Sequence, residues 1–237
     1  MRRIITFLVA GFLMSLTPET YPQEIKAVHP DKPQYVEWNQ LNPDQIITYN
    51  IKSGELKGTP LLNEDFITGT IYFHTNRKVS DLLINYNFFT GELLYKKEGK
   101  TYIVNTNDVL YFTVHDPESG ELQMFQQEFV PQASRREFLQ VLYEGETMLY
   151  KRIVKEFQEE DYKNPYSDAK RYDEYIDRIL YMVKQNHELK LLKQRKKSVL
   201  ELFSDKADLM GAFLKEQDIN LHNEVDLIKL VDYYNTL

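Results

Sequence analysis

The sequence predicts an α+β fold: an antiparallel β meander, barrel-like or sandwich-like, with a C-terminal cap of about three short helices. Three observations carry that expectation. Between residues 61 and 193, short runs of alternating apolar and polar residues follow one another, separated by tight-turn signals. Seventeen Tyr and thirteen Phe enrich the chain in residues that suit a pleated, half-buried surface. From residue 194 onward the apolar residues recur at helical spacing instead of every second position.

The elements follow in order. The chain opens with Met1-Arg2-Arg3 and the apolar run IITFLVAGFLMSL, Ile4 to Leu16. Two positive charges before a run too short for a membrane span, which needs about 20 residues, form the pattern of a secretory signal. A buried first helix fits less well, because the run has no polar face and stops at Thr17-Pro18. Residues 1–17 are expected to be removed on export, with the cut as late as about residue 20. Residues 18–60 carry six of the nine prolines and predict an extended arm with at most a strand near Ile46–Ile51. Trp38, the single tryptophan, is expected to anchor that arm to the body.

The body, 61–193, begins with a strand over Phe66–Phe73. Leu82, Ile84, Tyr86 and Phe88 then share one face, with Asn85 and Asn87 on the other, the period of a half-buried strand. Thr90-Gly91-Glu92 turns the chain into Leu93–Lys97, and Glu98-Gly99 turns it again into Lys100–Val104. Val109–Val114 precedes a turn at His115-Asp116-Pro117-Glu118-Ser119-Gly120. Leu122–Val130, Phe138–Tyr143 and Met148–Phe157 continue the series, the last two joined through Glu144-Gly145-Glu146, and 158–171 reads as a polar loop. Residues 172–193 fit either a helix or a hairpin. The strand-forming Tyr175, Ile176, Tyr181 and Val183 favour a hairpin of Ile179–Lys184 and Glu188–Leu192 around Gln185-Asn186-His187.

The helical segment, 194–237, contains three helix-start patterns: Ser198-x-x-Glu201, Asp205-x-x-Asp208 and Asn223-x-x-Asp226. The apolar sets beside them are Val199, Leu202 and Phe203; Leu209, Phe213 and Leu214; and Leu227, Leu230, Val231 and Tyr234.

Composition narrows the function classes. The chain has no cysteine, which removes disulfides, thiolate metal sites, cysteine nucleophiles and a lipid-bearing cysteine; an exported product is therefore expected not to be a lipoprotein. A formal charge of −7 disfavours nucleic acid as a partner. No transmembrane span is expected once the signal is removed.

Glu98-Gly99-Lys100-Thr101 resembles the tail of a phosphate-binding loop, but the required upstream glycine falls at Leu94, and Thr101–Val104 continues as a strand where a helix is needed. His29, His74, His115, His187 and His222 include no pair at metal-ligand spacing. No G-x-S-x-G occurs, and Ser53-Gly54, Ser80-Asp81 and Ser119-Gly120 read as turns. Glu159-Glu160-Asp161 and Asp173-Glu174 are sequence neighbours, whereas glycosidase carboxylates face each other across a cleft. Lys193, Arg195, Lys196 and Lys197 form a basic cluster at a helix start, normally a solvated face. Tyr72, Tyr86, Tyr95, Tyr102, Tyr111, Tyr143 and Tyr150 could line a binding face for a glycan or a protein, but cross-strand packing accounts for them as well.

Five stretches, taken in order, resemble a family of uncharacterised exported proteins of Bacteroidota: LKGTPLLNEDFITGTIYF (56–73), INYNFFTGELLYK (84–96), FLQVLYEGETMLYKR (138–152), KKSVLELFSDKADLMGAFLKEQDINL (196–221) and DLIKLVDYYNTL (226–237). The resemblance implies a small exported envelope protein with a β body and a helical tail, and it transfers no catalytic residue. The resulting expectation is a non-catalytic envelope interaction or structural module, periplasmic or associated with the outer membrane, with no cofactor and no metal, and with an envelope protein or glycan as partner. The alternatives are a small-ligand or glycan-binding module and a hydrolase assembled from residues distant in sequence.

Overall fold

The computed structural model describes residues 34–35, 56–159 and 172–237. The expected signal, Trp38, the strand near Ile46–Ile51 and residues 160–171 lie outside the described residues. The described chain is mixed α and β: one large, mostly antiparallel sheet followed by three helices. The strands are β1 (Gln34–Tyr35), β2 (Leu56–Lys57), β3 (Ile67–Phe73), β4 (Arg77–Asn87), β5 (Glu92–Lys97), β6 (Lys100–Ile103), β7 (Val109–His115), β8 (Leu122–Val130), β9 (Arg135–Tyr143), β10 (Met148–Gln158), β11 (Asp173–Gln185) and β12 (Glu188–Leu191). The helices are α1 (Lys196–Leu202), α2 (Ala207–Glu216) and α3 (Glu224–Thr236), with a 3-10 turn at Ser204–Lys206 between the first two.

The sheet order is β12-β11-β10-β9-β8-β7-β3-β4-β5-β6, with β1 parallel on β4 and β2 parallel on β11. Neighbours in sequence are mostly neighbours in space, as a meander requires. The hairpin over 172–193 forms as read, with both Asn186 and His187 at positive φ, the backbone of a two-residue hairpin turn. Glu98-Gly99 is likewise a turn, with φ of 50° and 76°, joining β5 to β6.

The sheet is not a closed barrel, because β12 and β6 end its path. It coils instead. Three strands separate β4 from β9, which in a flat sheet would hold them about 19 Å apart. Nevertheless the Tyr86 hydroxyl on β4 accepts the Phe138 N–H on β9 at 3.2 Å. Tyr86, Phe112, Phe125 and Phe138 pack between these curled parts, Phe112 and Phe125 stacked at 4.9 Å, and with Ile71, Ile84 and Val114 they form the first core. The same face of β10–β12 meets the helices, where Leu149, Val183, Val199, Phe203, Met210, Leu227 and Leu230 form a second core. The opposite face of β8–β12 holds a third, smaller one: Val130, Leu139, Tyr150 and Met182. The Asn235 amide fastens α3 to the β9–β10 turn, accepting from Thr147 N at 2.8 Å and donating to Thr147 O at 2.9 Å.

One segment links distant parts of the sheet. Leu56 and Lys57 pair with Asp173 and Glu174 on β11. A few residues later Pro60 O accepts Phe88 N, and Leu62 N donates to Tyr86 O, alongside β4. Residues 56–62 thus form a strap from β11 to β4. Only glycine fits its bend: Gly58 has φ +71°, and a Cβ there would lie 2.7 Å from Tyr175 O.

Several expectations are corrected. Asn85 and Asn87 are buried, so the end of β4 is covered on both faces. The Asn85 amide fills the gap where the strap leaves the sheet, donating to Asn63 O and Asp65 O and accepting from Asn63 N and Tyr86 N. The Asn87 Oδ1 caps the turn N–H groups of Phe89 and Thr90. Ser80-Asp81 is a bulge inside β4, with Asp81 at φ 58°, and not a turn. Ser198 and Asp205 do not cap helices. α1 starts at Lys196 and α2 at Ala207, and neither N-cap residue makes a side-chain bond; Asp205 instead accepts the Tyr234 hydroxyl. Only Asn223 caps as read, accepting Asp226 N at 3.1 Å. On α2 the buried pair is Met210 and Leu214, four apart, while Leu209 faces solvent.

Candidate interaction surface

β10 and β11 pair along eleven residues, yet β9 pairs with β10 only at Leu149–Lys151. Beyond Lys151 the hairpin separates from β9, which continues along β8, and runs on as a two-stranded ribbon that β2 joins at Asp173 and Glu174. Such a ribbon needs contacts on its faces to hold its register. Lys155 bonds Asp177 directly opposite at 2.7 Å on one face, and Arg178 bonds Glu156 at 2.7 Å on the other. These pairs stand in partial contact with water and contribute little stability, roughly 0–1 kcal/mol each. Their effect is to neutralise the ribbon's charges internally.

Aromatic side chains of the ribbon meet on the face that carries Lys155 and Asp177, while Val154, Ile176 and Leu180 take the other. Phe157 and Tyr175 sit opposite each other with ring centroids 5.2 Å apart. Phe89, from the β4–β5 turn, meets Tyr175 edge-on at 5.7 Å. Phe89 is 47 % exposed, Phe157 39 % and Ile179 37 %. Lys57 lies over the Tyr172 ring at 3.7 Å beside the strap. The group is therefore aromatic, partly open to solvent, and built from three places: the strap, the β4–β5 turn and the ribbon.

A second constellation is buried on the opposite face. Glu128 and Glu137 are direct cross-strand partners. Arg152 forks onto both Glu137 oxygens, at 2.7 and 3.1 Å, and Arg135 adds a third contact at 2.9 Å. Burial alone would raise the Glu137 pKa, but the two guanidinium groups outweigh it and hold the carboxyl below its usual range. Lys184 reaches Glu128 at 2.6 Å from β11, and the Tyr150 hydroxyl donates to the same oxygen at 3.0 Å. Burial, then Glu128, pushes the Tyr150 phenol up. Every charge here is matched, and the cluster braces β8, β9, β10 and β11 against one another.

The residues singled out from sequence fall elsewhere. Tyr86 and Tyr150 are fully buried, in different cores; Tyr72 stacks on Tyr111 at 4.3 Å and Tyr95 on Tyr102 at 5.1 Å, so the tyrosines pack across strands and do not line one face. His74, His115, His187 and His222 stay apart, His115 turning its ring toward Gly120 O at 3.3 Å. Among the described residues no group of three or more His, Cys, Asp or Glu is placed to hold a metal ion. Lys196 and Lys197 border a shallow depression of about 600 Å³ with Leu200, Glu201 and Ser204. No described helix is long and apolar enough to cross a membrane.

Sequence reasoning missed the aromatic group because its members were assigned to separate strands and a turn. Strand length gives no signal for it, because β9 runs on to Arg135 along β8 after its pairing with β10 stops at Lys151. Comparison with protein-family models, curated proteins and solved structures gave no match.

Proposed function

We propose that this chain is an exported, non-catalytic interaction module that holds a protein of the cell envelope against the β10–β11 ribbon. The observation that carries the reading is the group Phe89, Phe157, Tyr175 and Ile179. It is apolar, largely aromatic and partly exposed, on a ribbon in which Lys155 pairs with Asp177 and Arg178 with Glu156. Aromatic residues are enriched in the cores of protein interfaces, and Phe89, Tyr175 and Phe157 touch one another while two of them stay open to solvent. Export rests on the charged start and the short apolar run before Thr17-Pro18. An envelope location is part of the same reading and rests on export, and the absence of cysteine removes a lipid-bearing cysteine as its anchor.

The test places a photo-crosslinking residue at Phe89 or Phe157 in the full chain, expressed in its own cells. The captured partner is then purified, and its affinity measured for the unmodified protein and for the Phe89→Glu, Phe157→Glu double variant. The reading requires a loss of at least tenfold, or about 1.4 kcal/mol, with an unchanged melting temperature. Equal affinity for the two proteins would sink it.

A further inference from the structure

One face of α1 holds the helix to the body. Val199 and Phe203 are buried in a cluster with Tyr181 and Val183, which lie at the end of β11 away from Tyr175. Lys196, Lys197, Leu200 and Glu201 take the other face, and Lys193 and Arg195 come just before the helix. All four cations are exposed. Lys197 reaches Glu201 at 3.8 Å, a contact in which both side chains stay mostly in water. Among the described residues Lys193, Arg195 and Lys196 form no ion pair. The chain as a whole has 36 Asp and Glu against 29 Lys and Arg, so this cluster reverses the local sign.

Two features of the surface cost the helices stability, and no contact within the helical cap explains them. The first turn of α1 has no acidic residue and its N-cap makes no side-chain bond; it begins instead with Lys196 and Lys197, where the helix dipole favours anions. Gly211 stands in the interior of α2, and glycine is the poorest helix former after proline. Packing does not require it there, because an added Cβ would meet only Leu200 Cδ2, at an ordinary 3.8 Å. What Gly211 leaves bare is Leu200. The depression beside it has Leu200 as its apolar member, with Lys196 and Lys197 along its rim.

We infer that this face of α1 docks a short acidic segment of a partner protein, which seats one apolar side chain on Leu200 and sets its carboxylates against Lys193, Arg195 and Lys196. The inference does not depend on the ribbon, whose aromatic group lies toward the other end of β11. Shape and charge select the occupant together. A concave apolar surface accepts a protruding side chain, whereas a flat bilayer surface would bridge it and leave Leu200 uncovered. A long polyanion such as nucleic acid would run on from the cations over a surface with an excess of acidic residues. A short segment ends where the cations end. Exposed charge pairs are individually weak, so several cations and the Leu200 contact act jointly.

The experiment uses the full chain and a displayed library of random decapeptides. Enriched decapeptides are synthesised and their affinities measured at low and high salt. The expected peptides carry an apolar residue flanked by Asp or Glu, shift the Leu200 methyl resonances, and bind at least tenfold more weakly at high salt. The triple variant Lys193→Gln, Arg195→Gln, Lys196→Gln should bind them at least tenfold more weakly than the native chain. Gly211→Met keeps every cation and favours the helix, but covers Leu200; it should also weaken binding at least tenfold, with a melting temperature no lower. Gly211→Ala should stay within threefold. The inference is overturned if no acidic decapeptide is enriched, or if both Gly211→Met and the triple variant bind as the native chain does. It is overturned too if acetic anhydride modifies Lys193, Lys196 and Lys197 in the free chain far more slowly than the exposed Lys100, since the surface is then already covered. Binding to phosphatidylglycerol vesicles with no decapeptide enriched has the same force, because the occupant is then a membrane surface. If the Phe89→Glu, Phe157→Glu variant loses the peptides while Gly211→Met keeps them, they occupy the ribbon, and the ribbon reading stands while this one fails.

Discussion

The Tyr86 hydroxyl accepts the Phe138 N–H at 3.2 Å, joining β4 to β9 across the interior of the coiled sheet. Tyr86→Phe keeps the ring and leaves that buried N–H without a partner, a cost of roughly 1–3 kcal/mol. Denaturant titration should show the loss in midpoint with little change in slope.

The same phenol gives the protein an alkaline limit. Burial foremost, with Glu137 adding and the Phe138 N–H opposing, raises the Tyr86 pKa to about 12. An unfolded tyrosine ionises near pH 10. The folded state therefore holds the proton that the unfolded chain gives up, and the Tyr86 contribution to stability is constant below about pH 10 and falls as pH rises toward 12. Tyr181, raised to about 12 by burial and by its hydrogen bond to Glu224, acts in the same direction. In Tyr86→Phe the fall between pH 10 and 12 should be shallower, as read from urea midpoints at each pH. An equally steep fall would show that Tyr86 is not the group responsible.

Glu137 sets the acid side. Its carboxyl is held below the usual range because Arg152 and Arg135 outweigh burial, so its contribution is present above the unfolded value of about 4.3 and is lost as pH falls below it. Glu137→Gln should cost about 3 kcal/mol at pH 7, since it strands the buried Arg152 guanidinium. The variant should also lose less stability than the native protein between pH 5 and about pH 3. Thermal melts across that range would check both parts.

The clasp at Asn85 separates a lost bond from a wrong charge. Asn85→Ala removes the donor to Asn63 O and Asp65 O and should destabilise by about 2–3 kcal/mol. Asn85→Asp points an anionic oxygen at those carbonyls and should be worse than alanine at pH 7. Its deficit should shrink as pH falls and the carboxyl takes up a proton, because a carboxylate disfavoured in the folded state has a raised pKa.

Gly69 lies on β3, between β4 and β7 in the sheet. A Cβ there would stand 2.5 Å from Thr113 O and 2.6 Å from Ile84 Cδ1. Gly69→Ala should therefore destabilise by roughly 1–3 kcal/mol through overpacking. The surface variant Leu209→Ala should stay within about 0.5 kcal/mol. Parallel melts of the two would show the contrast.

Local pattern made much of the fold legible and left its coiling hidden. β8 was bounded correctly from LQMFQQEFV alone, and the hairpin at Asn186-His187 from turn chemistry. Alternation encodes which face a residue takes within its strand. It does not encode which strand lies across the core, so Tyr86 was placed on a face but not against Phe138. Asn85 and Glu137 were unreadable for a related reason. Each looks like an outward polar residue until a non-local partner, the Asn63–Asp65 loop or Arg152, covers it. Ser198 and Asp205 failed as helix starts because the spacing of a capping box recurs inside helices and in 3-10 turns. The aromatic group of the ribbon is equally non-local, drawing Phe89 and Tyr175 from opposite ends of the body.

The strap also bears on the order in which the molecule can assemble. Leu56 and Lys57 leave the ribosome more than a hundred residues before Asp173 and Glu174, the strand they pair with. Closing so long a loop carries a large entropy loss before any contact offsets it, so the β4 meander and the ribbon can each form while the strap waits. A contact made after the folding barrier governs the rate of coming apart more than the rate of coming together. Loosening Gly58 should therefore leave refolding nearly as fast as before and shorten the lifetime of the native state.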